Sequence, residues 1–209
     1  HRSSGLIFEV SVLDRALSDR EIAARFHNRK VHFPGIEPAK PKVTDWPTYL
    51  HDDARTGITP EEVPMPLELR WVHQPRHIPE PAWPPPANQD FWHEKHQLAP
   101  RVIFDRAQHV VCVGKHLFFG SSSDGKVVCL DIETGEEVWS FFTEGPVRLA
   151  PSVVDGDLFF GSDDGYVYCL SAASGRLKWK FQAAPTDRFI PGNGRLISAW
   201  PVRSGVVVH

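Results

Sequence analysis

From Ala150 to Phe181 short apolar runs alternate with clusters of Gly, Asp and Ser, and no helical period links them. Ala150 to Val154 is closed by Asp155-Gly156, a two-residue hairpin signal. Leu158-Phe159-Phe160 follows, then the turn Gly161 to Gly165, the run Tyr166 to Leu170 and a second turn at Ser171 to Gly175. Arg176 to Phe181 then alternates polar and apolar positions around Trp179. The pattern predicts four short strands in about 40 residues, filled by the aromatic and β-branched residues that strands favour.

Most of this unit occurs once before. Leu117 to Trp139 reads LFFGSSSDGKVVCLDIETGEEVW, and Leu158 to Trp179 reads LFFGSDDGYVYCLSAASGRLKW. Leu130, Gly135 and Trp139 recur 40 residues later as Leu170, Gly175 and Trp179, and Cys129 recurs as Cys169. A fixed period of this length predicts a repeat architecture. A four-stranded antiparallel unit that buries its two apolar faces against copies of itself is the blade of a β-propeller.

Read outward from this repeat, the chain is mainly β. Gly5 to Leu13 alternates as a half-buried strand, and Ser18-x-x-Glu21 is a capping box opening a short helix to about Arg29. Residues 31–44 form a proline-bearing linker and 45–73 a lead-in segment. Leu67 to Val72 alternates in the manner of Arg176 to Phe181, so Trp71 is expected to copy Trp139 and Trp179. The segment 74–100 is rich in proline and reads as a crossing loop. Blades are expected at 101–140 and 141–181, and 182–209 begins another, with Ser204 to His209 as its second strand. The fold class is thus a partial β-propeller of about two and a half blades, an arc short of the four to eight that close a ring. The chain opens within a strand pattern and its single Met is Met65, so it reads as a piece of a longer protein.

The residues also carry family resemblances. Leu130-Asp131-x-x-Thr134-Gly135-x-x-x-Trp139 resembles the tryptophan-docking motif of propellers related to the pyrroloquinoline-quinone (PQQ) dehydrogenases. Leu170-Ser171-x-x-Ser174-Gly175-x-x-x-Trp179 is a weaker copy, with Ser in place of the Asp and the Thr. The resemblance implies that Gly135 and Gly175 take tight turns and that Trp71, Trp139 and Trp179 dock blade to blade. It also implies that the 67–73 strand is the outer strand of a ring-closing blade whose partner is not in this chain. Residues 1–30 resemble the last strand and tail of a laminin-G-like, concanavalin-like jelly roll, with Phe8 where that family usually has Asp.

Catalytic and structural proteins share the docking motif, so fold does not decide function. Three readings follow from the resemblances. The first is a non-catalytic extracytoplasmic scaffold, periplasmic or at the cell surface, similar to outer-membrane assembly lipoproteins. The second is part of a PQQ-dependent dehydrogenase, which alone would bring PQQ with calcium. The third is a carbohydrate-binding surface protein. The adjacent Cys-Cys pair of PQQ alcohol dehydrogenases is not present, and no cofactor motif is evident. Cys112, Cys129 and Cys169 form no C-x-x-C and read as small buried thiols.

A net charge of -3, with no basic stripe interleaved with aromatics, argues against nucleic acid. No apolar run is long enough to span a membrane. His73 and His77, or His93 and His96, supply too few ligands for a metal, and the turn at Asp163-Asp164-Gly165 reads as an ordinary hairpin.

The arginines are the sharper signal. Arg106, Arg148 and Arg195 lie 11, 10 and 11 residues before the second-strand starts at Leu117, Leu158 and Val206. Rotated copies about one axis would bring three guanidiniums to a channel mouth, where they suit a carboxylate or phosphate, from a protein partner or a small anionic ligand. The other reading is local pairing with acids such as Asp105, Glu144 or Asp187. The interval from Trp179 to Arg195 exceeds that from Trp139 to Arg148 by seven residues, which fall within Pro185 to Gly194. Loops that outgrow a repeat often carry binding groups, so Arg188 and Asn193 join Arg195 as candidates.

Overall fold

A computed structural model describes residues 45–63, 65–80, 91, 95–97, 107–192 and 195–208. The chain divides into two compact units, His1–Lys40 and Pro41–His209, and every described residue lies in the second. The jelly-roll tail, the linker, most of the proline-rich loop, Arg106 and Asn193 lie outside the described residues.

Two four-stranded antiparallel sheets follow one another. The first contains β1 (Val110–Val113), β2 (His116–Ser121), β3 (Lys126–Asp131) and β4 (Glu137–Phe142) in sequential order. The second contains β5 (Ser152–Val154), β6 (Asp157–Gly161), β7 (Tyr166–Ser171) and β8 (Leu177–Gln182), again sequential. Asp155 and Gly156, with φ of 51° and 79°, make the β5–β6 turn, as a primed two-residue hairpin requires. The copies agree even in their irregularities. Cys129 faces Trp139 and Cys169 faces Trp179, and the register shifts immediately after each Cys.

Burial follows from position in the stack. β3 and β7 are buried over four successive residues each, because both faces of an interior strand meet side chains. Phe118, Val127, Val147, Leu158, Phe160 and Leu170 belong to one cluster between the two sheets. Each such residue contributes about 1.5–3 kcal/mol by leaving water. The other face of the first sheet packs Phe119, Val128 and Leu130 under Trp71.

The sheets are pinned by the tryptophans. Trp139 donates its indole N–H to the Ala172 carbonyl at 3.0 Å and lies on Gly175. Trp71 donates to the Ile132 carbonyl at 2.9 Å and lies on Gly135. Both glycines have positive φ, and a Cβ on either would sit 2.6 Å from the indole. Only glycine meets both conditions. The Asp131 carboxylate closes the first turn by accepting the Glu133 and Thr134 N–H groups, which holds it below the ordinary carboxylate range, the Thr134 bond first. Ser171 leaves the second turn to backbone bonds alone, from Ser174 and Gly175 to its carbonyl.

Among the described residues no strand pairs with 67–73, where Leu67, Leu69 and Val72 are exposed. The lead-in segment instead runs along the first strands. Trp46 exchanges two backbone bonds with Cys112, and the Pro47 carbonyl accepts the Val153 N–H.

The sequence register after β8 needs correction. A further hairpin, β9 (Phe189–Gly192) with β10 (Arg195–Ser198), fills the longer interval. Pro201-Val202-Arg203 then occupies the place of Pro146-Val147-Arg148. Val147 bonds Ser121 and lies on Gly120, while Val202 bonds Ser162 and lies on Gly161. Arg203, not Arg195, is therefore the copy of Arg148. Ser204 to Val208 follow Arg203 as β5 follows Arg148, which is the place of a first strand rather than a second.

Candidate functional site

The connections after β4 and β8 converge with the β2–β3 and β6–β7 turns, and the arginines gather there. Thr143 and Gly145 fix the first connection: the Thr143 hydroxyl bonds the Gly125 and Gly145 carbonyls, and a Cβ on Gly145 would lie 2.5 Å from the Asp164 nitrogen. This close approach brings Arg148 against the β6–β7 turn. Arg148 donates Nε–H to Asp163 Oδ2 at 2.7 Å, and Arg203 donates Nε–H and Nη2–H to the two carboxylate oxygens at 2.8 Å each. The side chain of Asp163 has no exposure, and that of Arg148 has 5%. A carboxylate so buried is stable only when paired and hydrogen-bonded, and three charge-assisted donors supply that.

Asp164 serves a different purpose. It accepts the Tyr168 hydroxyl at 2.7 Å and the Glu144 and Tyr166 N–H groups. Burial, with that hydrogen bond second, pushes the Tyr168 phenol far above its usual value. The turn is the expected hairpin connection between β6 and β7, and it carries a pair of buried, hydrogen-bonded carboxylates.

Arg195 reaches the same region from β10. Its Nη1 donates to the Ser122 and Ser123 carbonyls at 3.3 and 3.1 Å, and its Nη2 meets Glu80 Oε2 at 2.5 Å. Glu80 also donates its N–H to Ser122 Oγ at 2.9 Å and accepts Arg148 Nη1 on its carbonyl at 2.9 Å. Just before it, His77 pairs with Asp124 at 2.6 Å, and the Ser123 hydroxyl bonds the His77 carbonyl. Partial burial works to raise the Asp124 carboxyl, but the bonds from His77 and Ser121 outweigh it and hold the group below the ordinary carboxylate range.

Of the residues singled out in the sequence, Arg148 and Arg195 come together, each contacting Glu80. Arg188 is exposed and contributes its carbonyl to Ala199 N–H, clamping the base of the hairpin. Of the acids expected to pair with the arginines, Asp105 lies outside the described residues, and the other two make different bonds. Glu144 bonds Asp164 through its backbone, and Asp187 takes the Tyr166 hydroxyl and the Gln182 amide. Asp163, Arg203 and Glu80 were not legible as site residues, although the repeated Pro-Val-Arg triplet marks Arg203. Among the described residues no three His, Cys, Asp or Glu side chains gather as a metal-ligand set.

Four-stranded meanders at a 40-residue period, docked by Trp on a glycine turn, define a β-propeller of PQQ-type repeats. The family described as outer membrane protein assembly factor BamB matches residues 84–207, more than half of the chain, and the chain belongs to that family. No curated protein matches it. Among solved structures, quinohemoprotein alcohol dehydrogenase ADHIIG from Pseudomonas putida HK5 is 27% identical over 37% of this chain and 13% of its own length, with a TM-score of 0.34. BamB from Moraxella catarrhalis is 21% identical over 43% and 32%, with a TM-score of 0.32. The quinohemoprotein alcohol dehydrogenase from Comamonas testosteroni is 17% identical over 69% and 20%, with a TM-score of 0.40. The chain thus spans less than a third of the length of each.

Proposed function

We propose that this chain is part of a non-catalytic, extracytoplasmic scaffold that binds a protein partner on the face carrying Arg148, Arg195 and Arg203. One observation carries this reading. Asp163 is buried beneath two arginines from successive repeats, which gives the face a fixed, preorganised guanidinium platform. Arg195, one-third exposed, stands on the same face from a hairpin that the repeat does not need. Membership of a family described as an outer membrane protein assembly factor supports the protein-binding and envelope-associated parts of the reading. No helix among the described residues is long and apolar enough to cross a membrane. The test is a turnover assay with PQQ, calcium, primary alcohols and an electron-accepting dye. The scaffold reading expects no dye reduction above the protein-free control, and sustained turnover overturns it.

A further inference from the structure

Two ion pairs on this face differ in kind. The Arg148–Asp163 pair is almost wholly shielded, with side-chain exposures of 5% and 0%. The Arg195–Glu80 pair stands open, at 33% and 40%. A buried pair holds its geometry, whereas a solvent-reached pair is readily exchanged for another of the same chemistry. Glu80 also does more than offer a charge. It approaches with Pro79 before it and Pro81 after it, gives its N–H to Ser122, gives its carbonyl to Arg148, and places its carboxylate on Arg195. Two backbone contacts and one carboxylate are the recognition pattern of a short peptide carrying an acidic residue.

We propose that Ser122, Arg148 and Arg195 form a receptor for an acidic peptide segment of a partner protein, and that Glu80 is its resident, displaceable occupant. The proposal rests on the scaffold reading and names the chemistry of its partner. The His77–Asp124 pair is the second side-chain tether of the resident segment, so removing both side chains leaves only the backbone bonds at Glu80 and His77 to compete with an incoming peptide. An occupant within the same chain lowers the apparent affinity for any outside ligand by the fraction of time the receptor is free. Occupancy by Glu80 also keeps Arg195 paired until a partner arrives.

The probe is the capped peptide acetyl-His-Ile-Pro-Glu-Pro-amide, which reproduces residues 77–81, and its Gln counterpart. Binding is followed by NMR titration against the full chain. The double variant His77→Ala/Glu80→Ala is expected to bind the Glu peptide at least about tenfold more tightly than the parent chain. The Gln peptide gains nothing, and adding Arg195→Ala abolishes the gain. Glu80→Gln, which keeps the side-chain volume, is expected to give a smaller gain in the same direction. Equal affinity of the parent and both released variants overturns the proposal, as does an equal gain for the Gln peptide. A failure here with no PQQ turnover removes the acidic-peptide receptor alone, while PQQ turnover removes the scaffold reading itself.

Discussion

Asp163 shows how one carboxylate organises a face. Its side chain has no exposure and answers three N–H donors from two arginines. Asn in its place removes the compensating charge and turns an amide N–H₂ toward guanidinium donors. Asp163→Asn is therefore expected to lower stability by about 3–5 kcal/mol, read as a fall in the denaturant midpoint. A loss within the scatter of surface substitutions would mean that the pairs are ornamental. Asp124 makes a pH prediction. Its folded-state carboxyl lies below the unfolded value of about 3.9, so its contribution is fully present above that value and is lost as pH falls through the folded one. Asp124→Asn should flatten this acid limb of the stability profile. Asp163 was legible as a turn residue but not as a buried ion, because turn chemistry is local. Its partners are Arg148, 15 residues before it, and Arg203, 40 residues further on.

The docking tryptophans make the prediction at the scale of elements. Trp139 is half-buried on Gly175 and bonds the next turn, while Trp179 is 37% exposed and meets no glycine turn among the described residues. Trp139→Ala is expected to cost about 3 kcal/mol, in the range for truncating a large docked aromatic. Trp179→Ala is expected to cost about 1 kcal/mol or less in this chain. Equal costs in thermal or chemical unfolding would contradict the blade-to-blade account. The strands, the turns and the Gly–Trp pairing were readable because each repeat states them in its own residues. The arginine register was not, since counting back from Val206 takes it as the start of a second strand, and residues 204–208 stand in the place of a first strand. The interval from Trp to the copied Arg is nine residues in the first case and twenty-four in the second, and the β9–β10 hairpin fills the difference.

The whole molecule adds a chemical check. Burial pushes the Cys129 thiol up to about 12 and the Cys169 thiol up to about 11, with nearby Asp131 and Asp157 second in each case. Each faces a tryptophan across the sheet, Trp139 and Trp179 respectively. At about pH 8 neither forms thiolate to a useful extent. Native protein should leave both unmodified by a thiol reagent, and unfolded protein should titrate all 3 cysteines. Rapid labelling of Cys129 or Cys169 in the native state would mean that the two sheets do not share the core described. Membership of the outer membrane protein assembly factor family fixes the propeller and its repeat. The use of the arginine face is the central claim built upon it.

That claim is tested most directly by placing a photo-crosslinking residue at position 188, on the exposed base of the β9–β10 hairpin, in protein produced in its native cell. The account predicts adducts to a discrete protein partner, abolished by Arg195→Glu while the unfolding midpoint is kept. Adducts of unchanged yield in the Arg195→Glu protein, or none in either, would contradict it.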